Sequence, residues 1–201
     1  MSTPSYNSRY SSKTLYWGNK PHSLVVALKK LLPVGSSILD LGCGEGQNAI
    51  HLAQNGFKVT AIDISKPGID KLKAIAKQKK VKIVAKVADV IKYVENDAKF
   101  DAIICMNVLQ FIPANKIKRV VKRIQAKTKK NGYITIASFV AQNPEQKQKA
   151  ISNGRYCFDK YELKKYFAKW NIIKYIEKWT PWETHGEPRH RHYIVQLIAK
   201  G

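Results

Sequence analysis

The chain has 201 residues, 44% hydrophobic and 10% aromatic, and its 36 Lys and Arg against 14 Asp and Glu give a net charge of +22. This is about one domain's length, with too much apolar content for a wholly disordered chain, a collagen-like repeat or a disulfide-stapled miniprotein. No apolar run approaches the ~20 residues of a membrane span, the first residues lack a charged-then-apolar secretion pattern, and Cys43, Cys105 and Cys157 form no CxxC pair, so we expect a cytoplasmic protein without a membrane anchor, disulfide framework or zinc site.

In chain order, a polar, tyrosine-containing lead precedes residues 21–32, whose apolar spacing predicts an amphipathic helix opened by proline and closed by Pro33-Val34-Gly35. Residues 36–42 form a short apolar run ending in glycines, and residues 47–55 a helix closed by Asn55-Gly56. The same unit recurs: strand 57–63, basic helix 67–80, strand 81–89, strand 100–106, long helix 114–130 stopped by Asn131-Gly132, and strand 132–140. Strands alternating with helices predict a parallel sheet covered on both faces. Residues 141–156 look least ordered, and they follow a strand's C-terminal end, where ligands bind in open α/β sheets. The tail gives a helix over 159–169 and two apolar strands, 170–179 and 192–200, which most simply form an antiparallel hairpin on the sheet edge.

The chemistry gathers at the turn Asp40-Leu41-Gly42-Cys43-Gly44-Glu45-Gly46. Its glycines permit a tight strand-to-helix turn and close approach of backbone amides to a ligand, although GxGxG is neither the dinucleotide nor the phosphate-loop spacing. Of only seven aspartates, Asp40, Asp63 and Asp89 lie at or just past the ends of three predicted strands. A carboxylate placed as Asp63 is, 21 residues after the first glycine of the turn, reaches ribose hydroxyls, and Asp89 falls where an adenine would sit. The competing reading makes each a helix cap, with Asp63 capping the segment that begins Ile64-Ser65-Lys66-Pro67.

These segments carry a resemblance. ILDLGCGEGQNAIHLAQNGFKVTAIDIS resembles the first two motifs of the class I S-adenosylmethionine-dependent methyltransferases, VADV their third, and FDAIICMNVLQFIP the strand and loop that follow. Pro21-His22-Ser23, Gly46-Gln47-Asn48 and Glu183-Thr184-His185 make the chain most similar to the tellurite-resistance methyltransferase group. The resemblance implies a Rossmann-like α/β fold with a seven-stranded, mostly parallel sheet, helices on both faces and a C-terminal antiparallel hairpin. It implies one domain over 1–201, with a lid and helix in 1–35, a cofactor core in 36–140, and an acceptor-side loop and edge hairpin in 141–201. S-adenosylmethionine is the implied cofactor. Gly42, Gly44 and Gly46 would pack on its methionine part, with Asp40 orienting that loop. Asp63 would take the ribose hydroxyls, Ile64 the adenine face, Asp89 the adenine amino group and the Val90 amide a ring nitrogen. Cys43, Asn48 and Cys105 complete the implied cofactor set.

The acceptor is a small molecule or a chalcogen oxyanion on this reading. After the fourth strand there is no Asn-Pro-Pro-Tyr-type motif and no Pro-Cys nucleophile, which disfavours two familiar nucleic-acid methylations. Residues 182–192 hold three of the five His and two of the six Arg. Solvated turn charges and a metal site are the competing readings, but His and Arg together suit an oxyanion or acidic acceptor. His185, Arg189 and Arg191 are accordingly the candidate catalytic residues, His190 joins them on the substrate side, and Tyr16, Trp17 and His22 are candidates for a lid over it. An RNA-directed methyltransferase is the alternative suggested by charge and by Lys116, Lys118, Arg119, Lys122, Arg123, Lys127, Lys129 and Lys130; a non-enzymatic cofactor-binding sensor is the third. The excess of 30 Lys over 6 Arg is more a soluble coat than a nucleic-acid footprint. A monomer or homodimer is expected.

Overall fold

The computed structural model describes residues 4–12, 14–182 and 189–201. Seven strands form one sheet: β1 (Ser37–Leu41), β2 (Lys58–Asp63), β3 (Ile83–Val87), β4 (Phe100–Met106), β5 (Thr128–Phe139), β6 (Asn171–Trp179) and β7 (Tyr193–Lys200). Their spatial order is β3-β2-β1-β4-β5-β7-β6. The first five run parallel, and β7 lies antiparallel between β5 and β6, so the terminal hairpin enters the sheet through its second strand and leaves β6 outermost.

Helices cover both faces because alternate strand residues are apolar on each side. Ile38, Ala102 and Ile104 face α2 (Ser23–Lys29), α3 (Gln47–Gln54) and α4 (Lys66–Gln78). Leu39, Leu41, Ile103 and Cys105 face α5 (Val90–Tyr93), α6 (Ala114–Ala126) and α8 (Glu162–Tyr166). β1 and β4 at the centre are buried on both faces, and their C-terminal ends therefore deliver the following turns to fixed positions.

Three helices were not expected. α5 is a single turn of four residues between β3 and β4, α1 (Pro4–Tyr10) has no apolar periodicity, and α7 (Pro144–Ser152), within the segment read as least ordered, buries none of its residues. α7 starts because the Asn143 side chain accepts from the Gln146 amide at 2.9 Å and Pro144 follows in the first turn. The helix expected over 114–130 ends instead at Ala126, and Asn131-Gly132 lies inside β5. Asn131 has φ 63° there, and the β4–β5 register shifts between Phe100 and Ala102. A lysine-rich stretch reads as more helix face, but Lys127 and Thr128 are buried. The Lys127 ammonium turns inward to the carbonyls of Asn96 and Ala98 and the Asn96 side chain. Lys127→Met leaves those carbonyls without a donor, and we expect it to lower stability by about 1–3 kcal/mol, measured by urea unfolding, with no effect on ligand binding.

Candidate active site

The tight turn after β1 is tied at both ends: Cys43 N–H donates to the Ile62 carbonyl at 2.9 Å, and Gly46 N–H to that of Cys43 at 2.9 Å. Gly42 and Gly46 have φ of 67° and 86°, and a Cβ would lie 2.3 Å from Val108 Cγ2 and 2.2 Å from Leu72 Cδ1 respectively. Glycine is required at both positions by conformation and by space. Gly46 then opens α3, where Asn48 is buried with its Oδ1 accepting from the His22 amide at 2.9 Å.

The three strand-end aspartates divide by environment. Asp63 Oδ2 accepts from Gly44 N–H and Oδ1 from Ser65 N–H, both at 2.8 Å, so its carboxylate braces the glycine turn. It does not cap α4: that is Ser65, whose hydroxyl accepts from Gly68 N–H at 3.3 Å. Asp89 does cap a helix, accepting from the amides of Ile91 and Lys92 at 2.6 and 3.4 Å at the start of α5, where Val90 is buried. Asp40 is fully buried, and among the described residues its Oδ2 has no partner. Burial, and then the nearby Asp63 charge, push the Asp40 carboxyl up to about 8. Burial also raises Asp63, against the amides that lower it.

An orphaned buried carboxylate oxygen beside a second carboxylate favours a cation. A sulfonium ligand that also carries an amino group and ribose hydroxyls therefore fits the donor set. Ile64, 49% exposed beside Asp63, offers an apolar face at the same edge. Cys43 and Cys105 are buried, and burial followed by the Asp40 charge raises both thiols, which keeps them protonated and unsuited to act as nucleophiles.

The second cluster lies where β5 ends and β7 begins. A pocket of about 200 Å³ is lined by Phe139, Gln142, Cys157, Trp179, Arg191 and His192. His192 stacks on Phe139 with centroids 4.4 Å apart and planes 15° from parallel, and the His190 ring stands 5.1 Å from His192. The Arg191 guanidinium lies 4.4 Å above Trp179 and 4.8 Å above Trp182, with Arg189 4.9 Å above Trp182. Cation–π contacts of this kind hold the two ends of the β6–β7 connection together. Residues 183–188, and with them His185, lie outside the described residues. No group of three or more His, Cys, Asp or Glu suited to a metal occurs among the described residues.

The lid candidates separate. Tyr16 reaches the glycine turn through its amide, which donates to Glu45 Oε2 at 2.8 Å, and its ring packs 4.8 Å from that of Trp17. His22 caps α2, its Nδ1 accepting from Leu24 N–H at 3.2 Å. Burial, then Lys178 and Lys174, lower the His22 pKa and favour the neutral ring. Two residues at the turn are given no role by the sequence motifs: Glu45, whose visible signal is a carboxylate between two turn glycines, and Tyr10, which packs on Gly44 from a segment without apolar periodicity.

A seven-stranded sheet in this order, with a glycine turn after β1 and acidic residues at adjoining strand ends, has the fold of the Rossmann-like methyltransferases. The chain belongs to the family of the tellurite resistance protein TehB, whose model matches residues 7–187. It is 26% identical over 156 residues to a probable S-adenosyl-L-methionine-dependent methyltransferase TehB of Haemophilus influenzae, covering 78% of this chain and 53% of that protein. It is 27% identical over 165 residues to hemagglutinin 1 of Eikenella corrodens, covering 81% and 54% respectively. The chain thus spans about half the length of these relatives. The crystal structure of TehB from Haemophilus influenzae superposes with a TM-score of 0.76 at 21% identity, covering 97% of this chain and 65% of that one.

Proposed function

We propose that this protein transfers a methyl group from S-adenosylmethionine to a small-molecule or chalcogen-oxyanion acceptor. The observation that carries the reading is the carboxylate pair under the glycine turn: Asp40, with an oxygen unpartnered among the described residues, and Asp63 bracing Gly44, in a chain of net charge +22. Lysines elsewhere would repel a sulfonium, whereas Asp40 and Asp63 are carboxyl groups beside the turn. The cofactor supplies an electrophilic methyl group for in-line displacement, a reaction in which the protein's main work is positioning and excluding water.

On this reading Asp40 and Asp63 hold the cofactor's charged and hydroxyl groups, with Ile64, Asp89 and Val90 at the adenine. Arg191, Arg189 and His190, just before β7, hold an anionic acceptor, His185 is a further candidate for the same role, and Tyr16 and His22 close the near side. The pocket suits a small anion or planar acid because one guanidinium and a stacked imidazole line it between aromatic walls. Arg191→Ala is expected to raise the acceptor KM by about tenfold while leaving the cofactor Kd within twofold, measured by steady-state kinetics and calorimetry.

Labelled methyl transfer to selenite, tellurite, thiols and bulk RNA tests the acceptor class. Transfer to RNA with steep salt dependence would move the reading to the RNA-directed alternative. Binding without transfer to any acceptor would favour a sensor. The basic helix α6 favours neither: Lys116, Lys118 and Lys122 are exposed opposite buried Ile117, Val120, Val121 and Ile124, Arg119 and Arg123 pair with Glu95, and Lys127 beyond its end is buried. This is the pattern of an ordinary amphipathic helix.

A further inference from the structure

We infer that Glu45 is a positioning residue that latches an N-terminal strap over the cofactor cleft, and that ligand enters or leaves the cleft only when this latch opens. The inference rests on the cofactor reading above for its ligand, but the latch itself consists of contacts within the free protein.

Glu45 occupies the middle of the glycine turn and exposes none of its side chain, an unusual place for a carboxylate in this basic chain. Both its oxygens point to the strap or to what holds the strap. Oε2 accepts from Tyr16 N–H at 2.8 Å. Oε1 accepts from the Lys71 ammonium on α4 at 2.7 Å, and Lys71 also donates to the Thr14 carbonyl at 2.9 Å. One ion pair therefore fixes the strap backbone at two points beside the turn that the cofactor must approach.

The rest of the strap spans the cleft. In α1, Asn7 Oδ1 accepts from the Ser65 hydroxyl at 2.8 Å, next to Asp63. The Tyr10 hydroxyl stands 2.9 Å from where a Cβ on Gly44 would be and accepts from Trp17 Nε1 at 3.2 Å. At the other side the Tyr6 ring packs edge-on to Phe111, 5.3 Å away, in the turn after β4. The strap thus touches the β1 turn, the start of α4 and the β4 exit, the three sides of the site. A seven-residue helix is too short to be stable alone, so α1 owes its order to these contacts. Local opening of such a segment is the least costly motion that uncovers the cleft.

The predicted signature is kinetic. A latch that gates passage without touching ligand changes association and dissociation together, whereas a direct ligand contact changes dissociation and affinity in proportion. Glu45→Gln removes the charge while keeping the shape, and Lys71→Gln removes the partner without altering the turn. With S-adenosylhomocysteine as probe and Trp17 fluorescence as signal, we expect each variant to raise both rate constants about fivefold or more, with Kd within about threefold. Unchanged rates in both variants, or a faster dissociation matched by an equal loss of affinity, overturn the gate. Hydrogen exchange on the ligand-free protein gives a second readout. The Tyr16 amide should be protected in the wild type and exchange at least about tenfold faster in both variants, while the β1 and β4 amides stay unchanged. A Tyr16 amide unprotected in the wild type overturns the latch. If Glu45→Gln fails to fold, Lys71→Gln decides both measurements alone. A wild type that protects Tyr16 but binds no S-adenosylhomocysteine overturns the methyltransferase reading and leaves the latch established.

Discussion

Asp63→Ala is expected to weaken S-adenosylmethionine binding by at least about 100-fold in a calorimetric titration, since losing a charge-assisted acceptor costs about 1.5–3 kcal/mol per bond. The size follows from the two jobs of this carboxylate. It lies at the end of β2, where its remaining lone pairs are available to ribose hydroxyls, and it accepts the amides of Gly44 and Ser65 at 2.8 Å each. The alanine variant loses the ligand contact and leaves both amides unpaired beside the turn, so the melting temperature should fall as well. Asp63→Asn separates the two effects. It can still accept one amide bond, so it should recover much of the thermal stability while remaining at least about tenfold weak for the cofactor. Full affinity in both variants would remove Asp63 from the site.

The second large effect is a pH dependence set by Asp40. Its carboxyl is pushed up to about 8 by burial and by the Asp63 charge, so near neutral pH the free protein holds it mostly protonated. A cationic ligand favours the carboxylate. Affinity for S-adenosylmethionine should therefore rise by up to about tenfold per pH unit between roughly 6 and 8 and level off above, with close to one proton released per ligand bound at pH 7. The sign for stability is opposite. A carboxyl raised above its unfolded value stabilises fully below about 4, and that contribution is lost as pH rises towards 8. Asp40→Asn should accordingly gain on the wild type in urea unfolding as pH rises through that window, while binding cofactor more weakly and without the pH slope. An affinity flat from pH 6 to 8 in the wild type would exclude Asp40 from the charge balance of the site.

Much of this site was legible in the sequence for one physical reason. Parallel strands buried along most of both faces leave apolar runs that end abruptly in glycine and aspartate, so the ends of β1 and β2 could be located to within a residue or two, and Asp40 and Asp63 with them; β3 is an exposed edge strand, and its β-branched residues alone place its end and Asp89. What was illegible depends on contacts across the chain. α1 has no apolar stripe because its tyrosines and Asn7 pack on Phe111, Gly44 and Ser65 far away in sequence. α7 is set by an asparagine cap and a proline without a buried face. Lys127, a residue type that belongs on the surface, marks the end of α6 only because carbonyls at Asn96 and Ala98 receive it. Glu45 has no role that the sequence singles out, and only its burial beneath the strap gives it one.

The most direct test of the account is a calorimetric titration of the wild-type protein with S-adenosylmethionine at pH 7, in two buffers of different ionisation enthalpy, alongside Asp63→Ala. We predict single-site binding with net proton release in the wild type and a loss of at least about 100-fold in the variant, as expected for a charge-assisted site. No binding by the wild type, or binding undiminished in Asp63→Ala, contradicts it.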